Sequence, residues 1–413
     1  MTAITTVPRV GRIAVHAARL FDGRSSTILD EPVVVVEDGR IAEVRAGSVP
    51  TDATVVELPD VTLLPGLIDT HVHLCFDASA DPVGALLARG PDAVVEQMVA
   101  AAGEALRGGV TTVRDLGDLD YLSLQLRGRP GLPTIVSAGP PLTTSAGHCH
   151  YLGGAVVRGA AGVRQAVREH AERGTDVIKV MASGGNLTPG TAPETAQFEL
   201  VELQAIVDEA HHLGLPVTAH AHGTAAIGQA VQAGVDGLEH ATFWTADGID
   251  WVPALIDRIA ARRLAVGATL GLRPVPGAAP PPAVLARIPG ILANLRRLVS
   301  AGAVVVAGTD AGIAPNKPPD AARYAFADLI TAGLAPVDAL RRLTSTAAEI
   351  CGLADRKGRI EPGFDADLLA VEGDPIADPQ ALHRIRAVYL AGVPVVGAGT
   401  ASSAPAGPEP RSR

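Results

Sequence analysis

The sequence predicts an α/β chain: a (β/α)8 TIM barrel, with a small β domain formed by the two chain ends. Three observations predict it. Eight apolar, strand-like runs recur through the middle of the chain, with longer Ala-rich stretches of helical spacing between them. Segments rich in Val and Ile, broken by turn dipeptides, occupy both ends. Hydrophobic residues make up 47% and charged residues 19% of the 413, enough for a sizeable core and too few charges for global disorder.

The elements follow in order. Between residues 10 and 64, IAVHAARLFDG, PVVVVEDGRIAEV and ATVVELPDVTLL read as short strands, with turns at Asp22-Gly23 and Asp38-Gly39. They predict a small antiparallel sheet. The eight middle runs are 66–74, 109–117, 132–140, 176–184, 215–223, 235–243, 263–271 and 301–312. Segments such as VELQAIVDEAHHLG and AAIGQAVQAG show helical apolar spacing and end on Gly. A doubly wound sheet is the alternative arrangement of the same elements. At residues 362–397 the β texture returns in PGFDADLLAVEG and RIRAVYLAGVPVVG. The expected division is 1–64 and 362–400 for the β domain and 65–361 for the barrel. The polar, Pro-rich ASSAPAGPEPRSR (401–413) reads as a disordered tail.

Composition narrows the function. A net charge of −10 argues against a general nucleic-acid binder, which needs a basic surface. Cys75, Cys149 and Cys351 are odd in number and far apart, so they predict no disulfide framework and a reducing, cytoplasmic setting. The first residues, MTAITTVPRVGRIAVHAARL, do not read as a signal peptide, and no apolar run is long enough to predict a membrane span.

The chemistry-bearing residues sit in the strand-like runs. GLIDTHVHL puts His71 and His73 two residues apart, so both face the same side of a strand and Val72 faces the other. Barrel chemistry gathers at the C-terminal strand ends, so two imidazoles there are placed to bind one metal ion. Further polar residues occur in other runs: Lys179 in VIKVMA, His220 in VTAHAHG, His240 closing GLEH and Asp310 closing VVVAGTD. Taken singly, each has an ordinary structural explanation, such as a hydrogen-bonded loop histidine or a helix cap. Lys179 is the odd member, because a lysine between Ile178 and Val180 is costly to bury unpaired.

This ordered combination resembles the metal-dependent amidohydrolase superfamily over nearly the whole chain. PGLIDTHVH looks like the strand-1 motif of that superfamily, and GFDADLLAVEGDP looks like its return to a β-sandwich domain. The resemblance implies a first ion on His71 and His73 with Asp310, and a second on His220 and His240. It implies that Lys179 bridges both as a CO2-derived carbamate. Zinc suits the donor set, with manganese, cobalt or iron as alternatives. The implied reaction is attack on an amide by a hydroxide held between the two ions, with Asp310 shuttling the proton.

The lysine in VIKVMASGG argues against the mononuclear deaminases of the superfamily. The stretches TAQFELVELQAIVDEAH, HAHG and GVDGLEH look most like its prolidase-like branch, whose members act on Xaa-Pro or other dipeptides, such as Xaa-Arg/Lys, and on N-acyl amino acids. Other amides, carbamates, lactones or phosphoesters stay open as substrates, as does a metal-binding assembly partner without catalysis. His148, after the third run, matches a position where several members place a histidine on the substrate carbonyl. His222 reads either as support for the metal ligands or as a loop residue. Tyr151 and Arg114 are lesser candidates for holding a substrate carboxylate. The expected partner is a small-molecule amide; assembly into a homo-oligomer is left open.

Overall fold

The computed structural model describes residues 11–156, 158–277, 281–397 and 401–402. The chain divides into two compact units, residues 1–66 with 353–413, and residues 67–352. Residues 353–361 therefore group with the chain ends and not with the middle.

Each of the eight middle runs contains a strand. They are β1 (Leu67–Val72), β2 (Val110–Asp115), β3 (Thr134–Ser137), β4 (Ile178–Met181), β5 (Val217–Gly223), β6 (Gly237–Trp244), β7 (Ala265–Ala268) and β8 (Val304–Ala307). All pair in parallel, in sequence order, as a sheet of β1 to β3 and a sheet of β4 to β8. Isolated parallel bridges, Val72 to Ala311 and Leu142 to Val180, run between the two groups of strands. The class is α/β. Every residue of β1, β2, β4 and β8 is buried. Strands covered on both faces are built from continuous apolar runs. Any ionisable side chain in them therefore needs a partner or a task.

Helices cover these strands for local reasons. In Leu200–His212, Glu202 accepts from the backbone N–H of Glu199 at 3.0 Å, which satisfies one of the orphan donors at the helix start. Leu203, Ile206, Val207 and Ala210 form its buried stripe. Thr224–Ala233 ends at Gly234, whose φ of 94° suits a residue without Cβ. No helix among the described residues is long and apolar enough to cross a membrane.

In the other unit, Ile13–Leu20, Leu29–Asp30, Pro32–Glu37, Arg40–Ala46, Thr54–Pro65, Leu368–Glu372, Ile385–Leu390, Val393–Val396 and Ala401–Ser402 pair into one nine-stranded sheet. Among the described residues, the sandwich implied by the resemblance is not seen as two separately paired sheets. The Asp38-Gly39 turn has φ of 47° and 79°, as a tight hairpin with two left-handed residues requires. The antiparallel expectation needs one correction. Ile13–Leu20 and Thr54–Pro65 run parallel, with Ile13 opposite Thr54 and Ala17 opposite Leu58. The Pro32–Ala46 hairpin occupies one side of Ile13–Leu20, so the chain crosses over to reach the other. Of the expected tail, residues 403–413 lie outside the described residues; Ala401 and Ser402 pair with Val56 and Val55.

Candidate metal centre

The β1 strand brings the first donors together. Val72 is buried between two histidines whose Nε2 atoms approach to 3.3 Å. Asp310 reaches them from the loop after β8. Its Oδ1 is 3.2 Å from His73 Nε2 and 3.6 Å from His71 Nε2. Three hydrogen bonds tie that loop to β1. Asp310 N donates to His71 O at 2.7 Å, and Asp69 accepts from Thr309 N at 2.9 Å and from Thr309 Oγ1 at 2.6 Å. A second set lies beside the first: His220 and His222 from β5, and His240 from β6. The ligand atoms within each set of three lie within 4.8 Å of one another. The His71 and His240 rings are 5.4 Å apart.

Lys179 Nζ approaches His71 Nε2 at 3.3 Å, and the side chain is fully buried. Burial pushes its pKa down to about 8, against the pull of the Glu239 and Asp310 charges. Two donors stand on strained backbone. His240 has φ of 71° and Asp310 of 62°. Such conformations cost about 1–3 kcal/mol each and cluster at functional sites.

The hydrogen bonds fix which ring nitrogens are free. Gly117 O can only accept, so His73 Nδ1, 2.9 Å away, carries a proton; burial lowers the pKa of this ring, but the Asp310 carboxylate at its Nε2 outweighs burial and raises it above the ordinary value. His71 Nδ1 lies 3.0 Å from Glu239 Oε2, so it carries the proton of this ring and Nε2 keeps its lone pair. In His220 the roles reverse: Nε2 donates to Gly184 O at 3.0 Å and Nδ1 is free. Burial lowers the pKa of His71 and of His222 to about 4, and those of His220 and His240 well below the usual range. These imidazoles are neutral at neutral pH, the form that ligates metal. Burial opposes the charge of Asp310, but His71 and His73 beside it hold its pKa well below the ordinary range. Imidazole nitrogens and an ionised carboxylate, gathered in two adjacent sets, fit divalent ions.

A model of the amidohydrolase family matches residues 62–395. This chain belongs to the amidohydrolase family. It is similar to an ochratoxinase from Aspergillus niger, 29% identical over 79% of this chain and 73% of that protein. It is similar to an imidazolonepropionase from Deinococcus deserti, 28% identical over 90% of this chain and 94% of that one. Among solved structures it resembles a Xaa-Pro dipeptidase with methionine bound in the active site. That likeness has a TM-score of 0.82 and 26% identity, covering 93% of this chain and 99% of the other. The protein is thus a hydrolase of the metal-dependent amidohydrolase superfamily.

The remaining sequence candidates of this amidohydrolase divide. His148 joins the site. Its ring centroid is 4.8 Å from that of His220, its backbone N–H donates to Gln197 Oε1 at 2.6 Å, and its Nδ1 is buried with no hydrogen-bond partner among the described residues. Burial, then the neighbouring His222, pushes its pKa down to about 3. Tyr151 instead points its hydroxyl at Cys149 Sγ, 3.7 Å away. Arg114 is committed elsewhere too. Its Nε donates to Thr70 O at 2.7 Å and its Nη2 to Glu239 Oε1 at 3.0 Å.

Sequence reasoning left His222 between a supporting role and a loop, and two further residues escaped it. His222 lies with His220 and His240. Glu239, fully buried, pairs with His71. Lys317 donates to Thr309 O at 2.5 Å and Thr269 O at 3.1 Å, holding together the loops after β8 and β7. Glu239 carried a readable signal, since a Glu in an apolar run is as costly to bury as Lys179. Lys317 lies in a Pro-rich loop with no periodic pattern to mark it.

Proposed function

We propose that this amidohydrolase cleaves an amide bond, of a dipeptide or an N-acyl amino acid, on a two-metal centre. One observation carries the reading: two sets of three donors stand side by side with the buried Lys179 amine against one of them, 3.3 Å from His71 Nε2. His71, His73 and Asp310 would hold one ion, and His220 and His240 the other. Lys179 would reach both as a carbamate; its lowered pKa favours the neutral amine that takes up CO2. Zinc suits these donors best. When bound, the ions supply a water activated near neutral pH and polarise the scissile carbonyl.

The chain's own groups do the rest. Asp310, held ionised, accepts the proton of the attacking water at its carboxylate and returns it to the leaving nitrogen as the carbon–nitrogen bond breaks. His148, neutral and with an unpaired ring nitrogen, donates to the carbonyl oxygen where charge develops. We also infer that β1 to β8 close into one barrel. The bridges Val72 to Ala311 and Leu142 to Val180 support closure on both sides.

The substrate class rests on the Xaa-Pro dipeptidase and ochratoxinase likenesses. Metal-loaded protein tested on dipeptides, N-acyl amino acids, lactones and phosphotriesters is expected to turn over the first two groups best. A preference for the lactones or the phosphotriesters would overturn the amide reading. A second reading is favoured by His222, since three imidazoles could hold an ion without a modified lysine. Protein loaded with 13C-bicarbonate separates the two: a carbamate resonance that disappears in Lys179→Ala supports the bridge, and its absence from wild type supports the alternative.

A further inference from the structure

We infer that Glu239 is a positioning residue for His71, setting the ring tautomer that lets His71 ligate metal. The inference rests on the reading of His71 as a ligand. Glu239 lies in β6, one residue before His240, and is 1% exposed. A carboxylate buried this completely must be paired, so its partners define its task. Oε1 accepts from Thr218 Oγ1 at 2.7 Å and from Arg114 Nη2 at 3.0 Å. Arg114 is itself pinned to Thr70 O, on β1 just before His71.

With Oε1 held by two donors, Oε2 is aimed at His71 Nδ1, 3.0 Å away. Among the described residues, neither of those two atoms has another hydrogen-bond partner. The neighbouring strand makes room for this. Gly267 of β7 stands opposite Glu239 in register, and a Cβ there would overlap Oε2.

The chemistry follows from the donor inventory. An ionised carboxylate only accepts, so His71 must carry its proton on Nδ1. The Nε2 lone pair then points to the side where His73, Asp310 and Lys179 converge. A carboxylate behind a ligating imidazole fixes its orientation and raises its basicity. Five groups from five strands are thus spent on one tautomer: Arg114 of β2, Thr218 of β5, Glu239 of β6, Gly267 of β7 and Thr70 of β1.

Glu239→Gln tests this. The amide has one acceptor, which Arg114 and Thr218 would claim, leaving its NH2 to face His71. Nδ1 would become the acceptor and the proton would move to Nε2, the nitrogen needed for metal. Purified full-length, metal-free protein is titrated with Zn2+ against a chromophoric chelator, with His71→Ala and His220→Ala marking the two steps. The step assigned to His71 is expected to weaken by about 10–100-fold, with the other unchanged. Nitrogen-15 spectra of labelled histidine should show His71 switching from Nδ1–H to Nε2–H.

Gly267→Ala displaces Oε2 without altering any charge. It should weaken the same step, and it decides the matter if the Gln variant does not fold. Wild-type Zn2+ affinity with the Nδ1–H tautomer retained would overturn the inference. So would equal weakening of both steps, which marks a general packing role. If His71→Ala instead binds Zn2+ as wild type does, the metal-ligand reading itself has failed, and the inference falls with it.

Discussion

The two donor sets are built on different supports. In the set of His71, His73 and Asp310, both imidazoles back onto groups that can only accept, the Glu239 carboxylate and Gly117 O. In the set of His220, His222 and His240, only His220 does so, through Gly184 O. His222 and His240 meet hydroxyls, Thr242 Oγ1 at 2.9 Å and Thr269 Oγ1 at 3.4 Å. A hydroxyl can donate or accept, so it fixes a tautomer less firmly. The first set also contains a carboxylate, while the second is held by ring packing, with His222 and His240 stacked at 4.2 Å and 25°. One set is organised by charge and the other by shape. In the proposed reaction, proton transfer would fall to the first set, which holds Asp310. Support of the carbonyl would fall to the side of the second, where His148 lies.

The largest effect that could break this contrast is metal removal. Dialysis against a chelator should abolish turnover in two stages, and the ion of the imidazole-only set should leave first. Metal analysis along the dialysis, with His220→Ala and His71→Ala as references, reads the order. Loss from the His71 set first would reverse the contrast. Next comes Asp310→Asn. Asn is nearly isosteric but cannot take a proton at neutral pH, so turnover should fall by about 10²–10⁴-fold. Metal content measured on the same sample separates proton transfer from ligation. An Asn variant within a few-fold of wild type would remove Asp310 as the base.

Much of this was legible in the chain because buried strands leave little place for polar groups. Lys179, His220 and Asp310 stood out against Val, Ile and Ala neighbours, and each of the eight apolar runs holds a strand. What was not legible depends on distant partners. Arg114 read as a candidate for a substrate carboxylate, because nothing near it in sequence announces Glu239, 125 residues away. The parallel pairing of Ile13–Leu20 with Thr54–Pro65 was missed for the same reason. Turn dipeptides report the hairpin between them, but a crossover has no local mark.

His148→Ala sharpens the contrast from the side of the second set. A donor at the developing oxyanion helps the transition state more than the ground state. The variant should keep both metals and lose about 10²–10³-fold in kcat, with KM little changed. Wild-type kinetics would make His148 an ordinary loop residue. A variant short of one metal would make it a ligand.

The smallest expected effect falls on His222. Its Nδ1 faces Thr242 Oγ1, and Thr242 in turn contacts His222 O at 3.4 Å, so the hydroxyl proton is directed at that carbonyl and the ring donates to the hydroxyl. That leaves His222 Nε2 as an available lone pair beside His220 and His240. Availability is not ligation. If Lys179 supplies an oxygen to the second ion, His222 is surplus to its protein donors, and its role is to buttress the His240 ring that it stacks upon. His222→Ala should then keep the second metal, weaken its binding less than tenfold, the span of roughly 1.4 kcal/mol, and lower turnover less than His148→Ala does. His222→Phe, which restores a stacking ring without a nitrogen, should recover most of that loss. Loss of the second metal in both variants would identify His222 as a ligand, and the charge-against-shape contrast would become one between a mixed donor set and a three-imidazole set.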